Sequence, residues 1–173
     1  MMNARGFTLI ELILVLVLIG IIAAFAMPRL GDVTSSNASA FADKLKADIR
    51  AAANTAMTKN QRSRVYFNGS GTAPAAGYSV VLSTSAACSG FIALIDPATN
   101  AAWVVALNTG TYGGITVSPS MACLEYDSLG RPYDCSGLGN VCSNAPAGMT
   151  VTVQGNGTAA GMVTVSARTG AVN

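Results

Sequence analysis

The sequence predicts an α+β protein: a long N-terminal α-helix, hydrophobic in a membrane half and amphipathic in its second half, packed on a C-terminal antiparallel β-sheet head. Three observations carry this. Phe7–Met27 is a run of 21 residues whose only charge is Glu11. Between Asn37 and Met57 apolar residues recur at three- and four-residue spacings, the period of a helix face. Beyond Arg64 the chain breaks into short β-prone segments separated by Gly, Ser, Asn and Pro, the punctuation of strands and turns. The segments read as 1–6 (a basic leader), 7–30 (an apolar helix), 31–60 (an amphipathic helix) and 61–173 (a β-rich head).

At about 1.5 Å per residue the apolar run makes a helix of roughly 30 Å, the thickness of a bilayer's hydrocarbon core. Arg5 precedes it, so the positive-inside rule keeps the N-terminus cytoplasmic and sends the remainder out. A cleavable signal peptide has a shorter apolar core followed by small residues. Ala23, Ala24 and Ala26 imitate such a site, but Pro28 follows closely and the apolar run is long. A carboxylate inside a membrane helix costs a few kcal/mol and marks function, which singles out Glu11. Gly20 and Pro28 are the helix breakers of this stretch.

Phe41, Leu45, Ile49, Ala52, Ala53, Ala56 and Met57 form one apolar stripe, with Asp43, Lys44, Lys46, Asp48 and Arg50 largely off it. Ser35, Ser36 and Asn37 either cap a new helix or bend a continuous one. The expected strands are Arg64–Asn68, Tyr78–Leu82, Phe91–Ile95, Trp103–Leu107, Ile115–Ser118, Met149–Gln154 and Met162–Ala167. The last two flank Gly155-Asn156-Gly157 and read as a hairpin. Asp127–Gly148, rich in Gly, Pro and Cys, reads as an irregular surface loop.

Only 10% of residues are charged, and the net charge is +2. After Arg64 the balance is negative, with two basic and four acidic residues, so no general electropositive face emerges. The chain has four cysteines and no histidine. Zinc and haem sites of usual composition are excluded by that pattern, and no cofactor is expected. Downstream of an export segment, Cys88, Cys123, Cys135 and Cys142 read as disulfides. Three pairings are possible. Cys135–Cys142, whose six intervening residues turn back easily, is favoured, with Cys88–Cys123 by elimination. No catalytic set converges: nucleophiles lack a histidine base, Asp127 and Asp134 read as solvated loop carboxylates, and Gly69-Ser70-Gly71 and Gly155-Asn156-Gly157 are turns, not phosphate loops. The expectation is not an enzyme.

Arg5-Gly6-Phe7-Thr8-Leu9-Ile10-Glu11-Leu12 resembles the cleavage and methylation signature of type IV prepilins and type II secretion pseudopilins. The resemblance implies the pilin fold, peptidase cleavage between Gly6 and Phe7, and N-methylation of Phe7. It further implies that Glu11 directs assembly by pairing with the Phe7 ammonium of a neighbouring subunit, and that the segment from Gly20 to Pro28 kinks or melts when subunits pack. Tyr126-Asp127-Ser128-Leu129-Gly130-Arg131-Pro132 and Val165-Ser166-Ala167-Arg168-Thr169-Gly170-Ala171-Val172 are similar to minor pilins and pseudopilins of the H-type and FimT-like group. Ala26-Met27-Pro28-Arg29-Leu30 resembles subunits of mannose-sensitive haemagglutinin pili. The implied partners are other pilin or pseudopilin subunits, the prepilin peptidase, an inner-membrane assembly platform and the lipid bilayer. The implied location is the bacterial inner membrane, single-pass, then a periplasmic pseudopilus or extracellular pilus. Two alternatives stand beside the structural subunit. One is a DNA-binding minor pilin, contacting phosphates through Arg168 or through Lys59, Arg62 and Arg64, although nucleic acid is not the expected partner. The other is an adhesive tip subunit using the cysteine-bearing loop.

Overall fold

The computed structural model describes residues 8–26, 33–84, 88, 90–139 and 141–173. The chain divides into two compact units, Met1–Val33 and Thr34–Asn173. In the first, helix α1 spans Leu9–Ala26. The Thr8 carbonyl accepts from the amides of Glu11 and Leu12 and opens the helix. Every side chain described on α1 is exposed. Among the described residues no helix is long and apolar enough to cross a membrane. The ends of the expected 7–30 helix, Phe7 and 27–30, lie outside them.

In the second unit, α2 runs unbroken over Val33–Lys59, roughly 40 Å at 1.5 Å per residue. The expected cap or bend at Ser35–Asn37 is corrected: these residues lie within the helix, where the Ser39 hydroxyl donates to the Ser36 carbonyl at 3.0 Å. The helix ends as Asn60 turns left-handed, with φ 50°. The Asn60 and Gln61 amides donate back to the Met57 and Ala56 carbonyls, and this pair of reversed bonds satisfies carbonyls that the helix end would orphan.

Among the described residues nine strands follow: β1 Ser63–Phe67, β2 Gly77–Ser83, β3 Phe91–Ala93, β4 Val104–Ala106, β5 Ile115–Pro119, β6 Cys123–Tyr126, β7 Pro132–Asp134, β8 Met149–Gly155 and β9 Thr158–Val165. They form two antiparallel sheets. One has the order β3-β2-β1-β6-β7, with β4 on the other end of β2; the second has the order β5-β8-β9. Asn156 and Gly157 join β8 to β9, both at positive φ (49° and 80°), the requirement of the type I′ hairpin turn. Strands β6 and β7 escape the sequence reading, and β7 lies inside the tract taken as irregular.

Ala38, Phe41, Ala42, Leu45, Ile49, Ala52, Ala53 and Ala56 are the buried stripe of α2 and share one core with Val65, Phe67, Tyr78, Val80, Leu124 and Tyr126 of the larger sheet and Val151, Val153, Val163 and Val165 of the smaller. Small residues let the smaller sheet approach closely: a Cβ on Gly161 would lie 2.7 Å from that of Ala42. Met57, expected in the stripe, is instead 44% exposed, beside the turn at Gly130. Asp48, expected off the stripe, is buried. Its Oδ2 accepts from Tyr78 Oη, from Lys44 Nζ at 2.5 Å and from Trp103 Nε1 at 3.3 Å. A carboxylate tolerates burial only when its lone pairs are taken up in this way. Burial first, and then the Asp48 charge, push the Tyr78 pKa far above that of an ordinary phenol.

Candidate functional site: the apolar helix and the stapled face of the head

The sequence-predicted assembly residues lie on or beside α1. Gly6, Phe7 and Pro28 fall outside the described residues. Glu11 stands in the first turn of α1, where the helix dipole favours a negative charge, and its side chain is exposed. Around it Leu9, Ile10, Leu12 and Ile13 are 49–76% exposed. Soluble monomers rarely leave such continuous apolar surface uncovered. Gly20 sits within the unbroken helix, and a Cβ there would meet nothing within 4 Å. It presents a gap in the apolar cylinder. Chemically, this unit offers a greasy rod with one carboxylate near its start.

The second candidate is the face of the larger sheet turned away from α2. Alternation along the strands sends Val65 and Phe67 to the core, and so Arg64 and Tyr66 to the opposite face. Register places Arg64 against Glu125 of β6. Both side chains are wholly buried and joined at 2.6 Å through Arg64 Nε. Arg62 also bonds Glu125 Oε1. The chain after β7 folds over this pair. Arg64 donates to the carbonyl of Gly139 and to that of Val141 at 2.5 Å, and Arg62 to that of Ser143 at 2.9 Å. The Ser143 amide returns a bond to Glu125 at 3.3 Å. Phe91 lies under the Arg64 guanidinium, 4.0 Å from its centre, a cation–π contact that covers the remaining face. The result is a polar centre in which each charge has several partners.

Two disulfides fasten the same layer. The favoured pairing is wrong: the bridges are Cys88–Cys142 and Cys123–Cys135, with Cα separations of 5.3 and 5.0 Å. Loop length alone misled, because Cys123 lies on β6 and the β6–β7 hairpin returns the chain beside it. The Cys135 amide bonds the Cys123 carbonyl there. Cys142 is thereby left for Cys88. One trio of ligand-type residues, Cys88, Cys142 and Glu125, has its donor atoms within 4.8 Å of one another. Here the two sulfurs bind each other and Glu125 binds two guanidiniums, so the donor set is already spent.

The other named residues separate. Asp127 is buried, contrary to expectation. It accepts from the amides of Leu129 and Arg131, both at 2.9 Å, from Arg131 Nε at 2.8 Å and from Tyr133 Oη at 3.1 Å. Burial alone pushes its pKa up, but these hydrogen bonds, led by those from Arg131, hold it below the usual carboxylate value. It is the structural centre of the Tyr126–Pro132 turn. Asp134 is half-buried and caps the Ser136 amide at 2.8 Å, so the two carboxylates do not form an acid–base pair. Of the basic candidates, Lys59 and Arg168 are exposed, Arg62 is half-buried and Arg64 is sealed. Sequence reasoning missed Glu125. Its only signal was an acid inside Cys123-Leu124-Glu125-Tyr126, a stretch otherwise fit for burial.

Residues 1–27 match the model of the prokaryotic N-terminal methylation motif. The major component of the type IV narrow pilus of Thermus thermophilus, PilA5, is 49% identical over 51 residues, covering 30% of this chain and 44% of that protein. The chain thus aligns with less than half the length of that relative. The minor pseudopilin EpsH of the type 2 secretion system of Vibrio cholerae shares the fold, with a TM-score of 0.52 and 13% identity over 79% of this chain and 94% of that one. The type IV minor pilin FimU of Pseudomonas aeruginosa aligns with a TM-score of 0.47 and 15% identity, over 76% and 83% of the respective chains. The chain thus joins the methylation motif and its apolar helix to a helix-backed antiparallel head. Residues 1–27 carry the prokaryotic N-terminal methylation motif, and the head shares its fold with the minor pseudopilin EpsH.

Proposed function

We propose that this protein is a non-enzymatic structural subunit, a minor pilin or pseudopilin, that is processed by a prepilin peptidase and assembles with other pilin subunits into a type IV pilus or secretion pseudopilus. The observation that carries this reading is an exposed apolar α1 with one carboxylate near its start, lying within the residues that match the methylation motif. Before assembly, segment 7–30 resides in the inner membrane, with segment 31–60 and the head 61–173 outside the cytoplasm. Cleavage after Gly6 creates an ammonium at Phe7, whose unperturbed pKa is near 8. Glu11 of an adjacent subunit takes up that charge, and each partner offsets the burial cost of the other. Gly20 and Pro28 let the intervening helix yield during packing. The peptidase and an inner-membrane platform are the partners of that step.

Mass spectrometry of protein purified from cells tests this directly. The expected N-terminus is a monomethylated Phe7. An intact leader, or a start elsewhere, refutes the processing step. Glu11→Val is expected to insert in the membrane as well as the wild type does, or better, yet to drop out of sheared filament fractions by an order of magnitude or more, because the unpaired ammonium of a neighbour then stays buried. Equal incorporation of variant and wild type contradicts the pairing.

The DNA-binding reading is weakened by the capture of Arg62 and Arg64 by Glu125, which leaves Lys59 and Arg168 apart from any cationic cluster. An adhesive tip role has the stapled layer as its candidate surface, where Val141 is 63% exposed.

A further inference from the structure

The stapled layer rests on bonds of unequal accessibility. Of the four cysteines, Cys88, Cys123 and Cys135 are at most 1% exposed, whereas Cys142 is half-buried. Thiol–disulfide exchange needs a sulfur that an attacking thiolate can reach, so the bridge ending at half-buried Cys142 is the more accessible of the two. The accessible bridge is also the one that matters to the polar centre. Cys142 lies between the carbonyls of Val141 and Ser143, which hold Arg64 and Arg62. Cys123–Cys135 spans a separation of only 12 residues and staples a hairpin that β6–β7 pairing already holds. Cys88–Cys142 spans 54 and ties this layer to the chain between β2 and β3.

We propose that Cys88–Cys142 is a redox-sensitive clasp. Its reduction alone frees Gly139 and Val141–Ser143 from the sheet and uncovers the Arg64–Glu125 pair, while Cys123–Cys135 and the α2-backed core stay closed. The reductant is a dithiol. Its thiolate attacks Cys142 Sγ, the S–S bond breaks, and Cys88 leaves as a thiolate and takes up a proton. The second thiol of the reductant resolves the mixed disulfide, leaving Cys142 as a thiol and the reductant as a cyclic disulfide. Once the tie is gone, the carbonyls of Gly139, Val141 and Ser143 can exchange their guanidiniums for water, and local opening does not require the core to unfold.

The test treats the full chain with dithiothreitol under native conditions and follows three readouts. These are alkylation of each cysteine, phenylglyoxal labelling of each arginine by peptide mass mapping, and Trp103 fluorescence. Cys88 and Cys142 are expected to alkylate first. Arg64 labelling is then expected to accelerate at least about tenfold relative to the exposed Arg168, at unchanged Trp103 emission, as local opening requires. The Cys88→Ser/Cys142→Ser variant, with no reductant, reproduces the Arg64 labelling. Simultaneous alkylation of all four cysteines overturns the proposal. So does an Arg64 that stays protected without the bridge, or labelling that appears only with a shift in Trp103 emission.

Discussion

Replacing Arg64 by methionine is expected to destabilise the protein by about 2–4 kcal/mol, the cost of taking one of its two guanidiniums from a buried carboxylate together with two carbonyl contacts. Glu125 is wholly buried, and Arg64 is its nearest cation not touched by solvent. Arg62 cannot serve in its place: it reaches the other carboxylate oxygen and remains 18% exposed. Methionine fills the aliphatic part of the space over Phe91 but also abandons the carbonyls of Gly139 and Val141. For a chain of this size the melting temperature should fall by on the order of 10 °C, measured on detergent-solubilised oxidised protein by Trp103 fluorescence. The double variant Arg64→Met/Glu125→Leu discriminates the cause. A buried ion pair can often be exchanged for apolar residues at little net cost, so the double variant should recover much of the loss. If it is no more stable than Arg64→Met alone, the cost lies in the carbonyl contacts of the layer and the charge argument fails.

How much of this was legible in the sequence depends on whether the signal was local. Phe41, Leu45 and Ile49 announce the buried face of α2 by spacing alone, and Asn156-Gly157 announces the hairpin turn by its backbone requirement. Strand β6 gave no such sign. Its four residues are all buried, so the apolar–polar alternation of a half-exposed strand is absent. Glu125 was merely one of four acids beyond Arg64 until register set it opposite Arg64. The disulfide pairing failed for the same reason, since it follows from a hairpin that was itself unseen. Glu11 could be singled out because a lone carboxylate in an apolar run needs no partner to be conspicuous. The partner expected for it belongs to another subunit, which no reading of a single chain can supply.

Asp48 supplies the second large effect, because it fixes where α2 sits along the sheet and apolar packing alone does not. Leu45 and Ile49 can slide along a greasy surface at modest cost, whereas Tyr78 Oη and Trp103 Nε1 converge on one oxygen. Asp48→Ala strands both donors in the core. At about 1–3 kcal/mol for each unsatisfied buried group, the expected loss is about 2–6 kcal/mol, read as a lowered urea midpoint at unchanged slope. Asp48→Asn keeps an acceptor of the same shape and should lose less than half as much. Lys44→Ala, which removes only the part-exposed ion pair, should cost under about 1 kcal/mol. This order follows from buried hydrogen bonds outweighing a solvent-screened charge. If Lys44→Ala instead matched Asp48→Ala, with Asp48→Asn just as damaging, the ion pair would be the anchor and the two aromatic donors bystanders.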